Sequence, residues 1–211
     1  MEMSIGFIVL LIISILIFGL SIQLIFKWFG SAQQLQASID KQTQDQILSA
    51  LRTGNQLVAI PFSIQESSRG QATSFGVGVR NVLADGQFSI AISPACKPPS
   101  TYPCGYTPDG TPIAVDPDYI EKNWLGNFNT IPTFRLKRNQ QDVKPILIKV
   151  DTNIAPSKPT PKGDYVFNLC VYNKPLRDDG LPEAPCDSVQ YKTDPKVFYT
   201  QKIYQLTIRV V

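Results

Sequence analysis

The chain has 211 residues, a formal net charge of +3 and no histidine. So small and dispersed a charge gives no electrostatic case for nucleic acid as a partner. Without histidine, Ser-His-Asp and Cys-His catalysis and His-containing zinc sites are excluded.

The first element is the apolar run from Ile5 to Phe26, IGFIVLLIISILIFGLSIQLIF, which carries no charge and is broken only by Ser14, Ser21 and Gln23. At about 1.5 Å per helical residue such a run spans roughly 30 Å, the thickness of a bilayer's hydrocarbon core. Glu2 precedes it, and Lys27 and Trp28 follow as interfacial anchors do. A buried core helix seldom runs so long without charge. A cleaved secretory signal would want a basic n-region, a shorter apolar run and a small-residue cleavage site, none of which is present here. The reading is a transmembrane helix over 1–28 that holds the chain in membrane lipid.

Residues 29–55 follow as an amphipathic stalk helix. Leu35, Ile39, Ile47 and Leu51 recur at multiples of three and four, Ala32 and Ala50 support the stripe, and Gly54 is a stop signal. The stripe serves either to pack on the next domain or as a seam for a partner helix, for which Gln42 and Gln46 adjoin it.

From Leu57 the apolar period becomes two. Val58, Ile60, Phe62 and Ile64 alternate, then Phe75, Val77 and Val79, with Gly76 and Gly78 on the opposite side. Ala84-Asp85-Gly86 predicts a hairpin turn into Phe88, Ile90 and Ile92. Phe134 and Leu136 predict a short strand, and Arg138-Asn139-Gln140 a turn into Ile146, Ile148 and Val150. Tyr165 to Val171 and Tyr204 to Val210 complete about seven half-buried strands. Each has one apolar face, so residues 56–211 predict an antiparallel β-sandwich and the chain as a whole is mainly β. Two long insertions interrupt it, at about 94–129 and 173–196.

Four cysteines, Cys96, Cys104, Cys170 and Cys186, lie beyond the apolar run in or beside these insertions. An even count in a membrane-tethered chain favours two disulfides and an oxidising compartment. The local pairing, Cys96 with Cys104 and Cys170 with Cys186, is one of three connectivities. A four-cysteine zinc site lacks its usual C-x₂₋₄-C pairs, and reduced thiols are the remaining alternative. Lys27 and Lys41 by the positive-inside count would place the domain in the cytoplasm, whereas the cysteines place it outside. We weigh the cysteines more, which makes this a single-pass protein of the cell membrane with an extracytoplasmic C-terminal domain.

Candidate chemistry is sparse. Asp116, Asp118 and Glu121 could ligate calcium but do not match the twelve-residue calcium loop, and solvated surface acids explain them as well. Gly76-Val-Gly-Val-Arg80 sits inside a strand pattern with no helix after it, so no phosphate cradle and no cofactor is implied. Tyr102, Tyr106, Tyr119 and Trp124 make the first insertion aromatic, either as a partner surface or as packing onto the sandwich.

SFGVGVRNVLADGQFSIAIS, KGDYVFNLCVY and IYQLTIRVV resemble the B–C, F and G strands of immunoglobulin-like sandwiches common on archaeal cell surfaces, and Gly163-Asp164-Tyr165 is similar to a tyrosine corner. The plan of one N-terminal helix ahead of a sandwich resembles type IV pilins, archaellins and the membrane-bound stator proteins of the archaellum, and Ile5-Gly6-Phe7 resembles a prepilin cleavage site. The first resemblance implies non-catalytic adhesion, envelope organisation or scaffolding, with a protein partner or self-association through the stalk or sandwich. The second implies a filament subunit or filament-associated stator.

Overall fold

The computed structural model describes residues 13–14, 41–54, 56–98 and 102–211. The chain divides into two units, Met1–Ser38 and Ile39–Val211, and the fold below is that of the second. The transmembrane reading of residues 1–28 falls outside the described residues except at Ile13 and Ser14, which are helical. Among the described residues no helix is long and apolar enough to cross a membrane.

Two sheets face each other. The smaller has the order β1 (Val58–Ala59), β3 (Ala72–Arg80), β7 (Gln141–Lys149). The larger runs β2 (Ile64–Ser67), β11 (Tyr204–Val210), β10 (Gly163–Tyr172), β4 (Gly86–Pro94), β6 (Thr130–Leu136), and the short β5 (Gly105–Tyr106) also pairs with β10; β8 (Asn153–Ala155) and β9 (Lys158–Pro159) form a separate two-stranded ribbon. In immunoglobulin lettering this strand order reads A-B-E facing A′-G-F-C-C′. The tyrosine corner is present as well: the Tyr165 hydroxyl, at the start of β10, donates to the Pro161 carbonyl at 2.9 Å.

Each of the seven apolar stretches contributes a strand, although Ile60 and Phe62 of the first lie outside one, and three details differ from the sequence reading. The first stretch is two strands in different sheets. Pro61 has no N–H with which to continue the ladder, so the chain leaves β3 after Ala59 and rejoins the other sheet at Ile64. That rejoined strand runs parallel to β11, so the sandwich is not wholly antiparallel. Finally, Asp85-Gly86 does not turn a hairpin: β3 and β4 lie in opposite sheets. The reason is Asn81, fully buried, whose side-chain amide donates to the Ala84 and Leu136 carbonyls and whose Oδ1 accepts from the Leu83 N–H. It binds the β3–β4 and β6–β7 crossovers together, so both stretches pass between sheets rather than fold back within one.

The main core lies between the sheets: Phe75, Val77 and Val79 of β3, Ile146 and Ile148 of β7, and the alternate residues of β4, β10 and β11. Neither disulfide crosses it. At the outer side of the small sheet, helix α1, described over Lys41–Thr53, seats Ile47 and Leu51 on Ala59, with Val143 packed alongside. Gly78 permits that approach, since a Cβ there would stand 2.2 Å from Ile47 Cγ2. Burying two such side chains contributes about 1.5–3 kcal/mol each. The Arg80 guanidinium donates to the Leu51 carbonyl at 3.2 Å and finishes the helix end, and Gly54 donates back to Ala50 at 2.9 Å. Of the two roles for the stripe, its described turns pack on the following domain, while Gln42 and Gln46 are exposed; Leu35 and Ile39 lie outside the described residues.

Candidate binding face

Both insertions border the large sheet, the first at its edge and in the core, the second on its outer face. The first leaves β4, closes the Cys96–Cys104 disulfide, and returns as β5 beside β10. It then enters the core through α2 (Pro117–Ile120) and a wider turn over Glu121–Leu125. Asp116 caps α2 by accepting from the Asp118 and Tyr119 N–H groups, and Glu121 pairs with Lys97. These acids have structural partners, and among the described residues no three metal-ligating side chains converge.

The second insertion covers β4 and β10. Cys170, on the outward side of β10, bonds Cys186, and a small second core of Ala91, Tyr172, Ala184 and Phe198 forms around the bridge. Polar groups reinforce it: Ser93 Oγ donates to the Cys186 carbonyl at 2.5 Å and Tyr172 to Ala184 at 2.8 Å. Asp187 caps α3 (Ser188–Thr193). Both disulfides are the local pair, and the zinc and free-thiol alternatives are set aside because no described cysteine is free.

The insertions meet across a cleft of about 440 Å³. Lys97 and Glu121 stand on one wall, Arg177, Leu181 and Asp187 on the other, and Ser93 is at the floor. Arg177 is paired with Asp179 at 2.8 Å. Leu181 is half exposed. The cleft is therefore walled by ion pairs on a stapled frame, with an apolar side chain available between them. Titration is displaced mainly at tyrosines and carboxylates. Burial pushes the Tyr165 and Tyr172 hydroxyls up, and the Arg209 guanidinium holds Asp164 below the usual carboxylate range.

The four aromatics of the first insertion do not make one surface. Trp124 is withdrawn from it: 1% exposed, it packs on Tyr165 with ring centroids 4.9 Å apart and donates from Nε1 to the Asn153 carbonyl at 3.0 Å. It fills the space beside the F-like strand, so its place as a partner residue is corrected to core. Tyr119 is half-buried and donates to Asp151 at 3.0 Å. Tyr106 is half-buried on β5. Tyr102, inside the Cys96–Cys104 loop, is exposed. Lys97, Arg177 and Leu181 were not singled out by sequence reasoning. Only their nearness to cysteines in two long insertions could have pointed to them.

The chain is a mainly β protein of two facing sheets, with two disulfide-stapled insertions beside its larger sheet. No protein-family model matches the chain, and no curated protein sequence matches it. Among solved structures it is similar to a family 123 glycoside hydrolase from Clostridium perfringens, at 10% identity and TM-score 0.38, over 73% of this chain and 27% of that one. It is also similar to the class 5 fimbrial chaperone CfaA, at 14% identity and TM-score 0.32, over 73% of this chain and 56% of that one. The chain thus spans about a quarter and just over half of their lengths. At such scores neither likeness carries an argument about this chain.

Proposed function

We propose that this is a single-pass membrane protein whose immunoglobulin-like domain stands on the extracytoplasmic side and binds another protein, in adhesion, envelope organisation or scaffolding, without catalysis. The observation that carries the proposal is the pair of disulfides, each closing an insertion that lines the same cleft. Such bridges persist in oxidising compartments and hold a loop ready for contact without ordering cost on binding. The apolar run from Ile5 to Phe26 supplies the tether. The experiment is fractionation of cells producing the full chain, with thiol counting on the native protein. Detergent-dependent extraction, protease access from outside intact cells and no free thiol are expected. Four free thiols, or a chain that stays in solution without detergent, would overturn the reading.

Ile5-Gly6-Phe7 ahead of the apolar run favours a second reading, a type IV pilin-like or archaellin-like filament subunit or a filament-associated stator. Mass spectrometry of the mature N-terminus decides between them: a chain beginning at Phe7 supports the filament reading, and one retaining Glu2 removes it.

A further inference from the structure

A sheet edge offers unpaired backbone to any other strand, and proteins blunt their edges with proline, charge, shortness or a covering element. Of the four edge strands of the two facing sheets, three are blunted in this way. β6 contains Pro132, and β7 contains Pro145 and packs against the Glu121–Leu125 turn. β1 is two residues long and lies under α1.

The remaining edge, β2, is four residues long and carries one charge, Glu66, but it has neither proline nor lysine, and no helix or strand among the described residues lies beyond it. Its backbone direction is set by the pairing with β11. Thr207 N–H donates to the Ser63 carbonyl at 2.7 Å and Val211 N–H to the Ser67 carbonyl at 3.2 Å. In a parallel pair alternate residues direct both backbone groups to the same neighbour. Ser63, Gln65 and Ser67 therefore face β11, and Ile64 and Glu66 turn their N–H and C=O groups to the open edge. The side chains agree, since Phe62 is 43% and Ile64 56% exposed, among the most exposed large apolar residues described. Ile64 also borders a depression of about 790 Å³ on the outer face, beside Tyr106, Val166 and Arg209. The second insertion covers β4 and β10 farther along the sheet.

We propose that β2 is a docking edge for a second copy of this chain, joined antiparallel, β2 to β2, into one continuous sheet. An extended strand can replace the solvent now paired with the outward groups of Ile64 and Glu66, and a second copy brings such a strand in a register free of like-charge pairs. With Ile64 opposite Ile64 of the second copy, Phe62 stands opposite Glu66, so no like charges oppose and both exposed apolar side chains gain cover. The small net charge of +3 opposes approach only weakly. The twofold also sets the two outer-face depressions side by side on one surface.

The test uses the full chain in detergent. All four native cysteines are bonded, so one added thiol reports alone. Ile64→Cys is expected to form a covalent dimer at least about tenfold faster than Leu181→Cys, because pairing raises the effective thiol concentration. Equal rates would overturn the proposal. Without any substitution, amide exchange at Ile64 and Glu66 should slow by about tenfold on going from dilute to concentrated protein, as a formed ladder requires. Unchanged exchange at these two amides would also overturn it, including the case where a heterologous strand is the true occupant. Neither readout depends on the compartment or on the anchor, so failure here leaves the proposed function standing.

Discussion

Both outer faces of the sandwich are covered, and by different means. On the small sheet α1 lies on Gly78 and Ala59, held by Ile47, Leu51 and one guanidinium-to-carbonyl bond. On the large sheet an irregular segment with one short helix is held by Cys170–Cys186 and a small core around it. A helix satisfies its own backbone and needs only a groove of the right depth. A loop must find partners for its backbone among the residues it covers, and its apolar area is small. A covalent bridge, which reduces the freedom of the unfolded chain, makes up that shortfall.

Substitutions can break each cover separately, against a shared reference. Trp124→Ala should cost most, about 3–5 kcal/mol, because it empties the core that both sheets share. Chemical denaturation should show both covers lost in one transition, and two separate transitions would mean that the core does not couple them. Replacing Cys170 and Cys186 together by serine should cost about 3 kcal/mol. Amide exchange should then rise in the second insertion while α1 stays protected. Gly78→Ala acts on the opposite face. Its new methyl meets Ile47 and Leu51, an overpacking of about 1–3 kcal/mol that should free α1 and leave the insertion protected. If α1 kept its protection, close approach at Gly78 would not be what seats it.

The smallest effect concerns the uncovered part of the large sheet. Asp164 is held below its usual range by hydrogen bonds from Arg209, at 2.8 and 3.0 Å. A depressed carboxylate contributes stability that is present above its unfolded pKa and lost as pH falls through the folded one. The pair is solvent-exposed, so the loss is less than about 1 kcal/mol. Asp164→Asn should flatten that part of the acid limb in a stability-against-pH series and change nothing at neutral pH beyond the same amount.

Much of the fold is legible because two-residue periodicity reports a half-buried strand directly. Phe75-Val77-Val79 and Tyr165-Phe167-Leu169-Val171 have no other way to hide one face. The immunoglobulin resemblance placed the B, C, F and G strands where the sheets have them. What was misread is where the chain changes sheets. Asp85-Gly86 is a good local turn signal, yet Asn81 reaches Leu136, distant in sequence, and converts the turn into a crossover. Phe62 and Ile64 fit the alternation as well as Val58 does, but Pro61 moves them to an edge where alternation no longer implies burial. Among the aromatics, nothing local separates Trp124 from Tyr102. One has Tyr165 and the Asn153 carbonyl beside it, and the other sits on a disulfide loop.

From residues alone came the mainly β class, the number of apolar stretches, the two insertions and the cysteines that staple them, since each is a property of composition and short-range spacing. Tertiary structure alone decided which sheet each strand joins, which glycine admits α1, which aromatic is core and which edge is left open. Those outcomes depend on groups far apart in the chain competing for the same space and the same hydrogen-bonding atoms, and no local pattern records that competition.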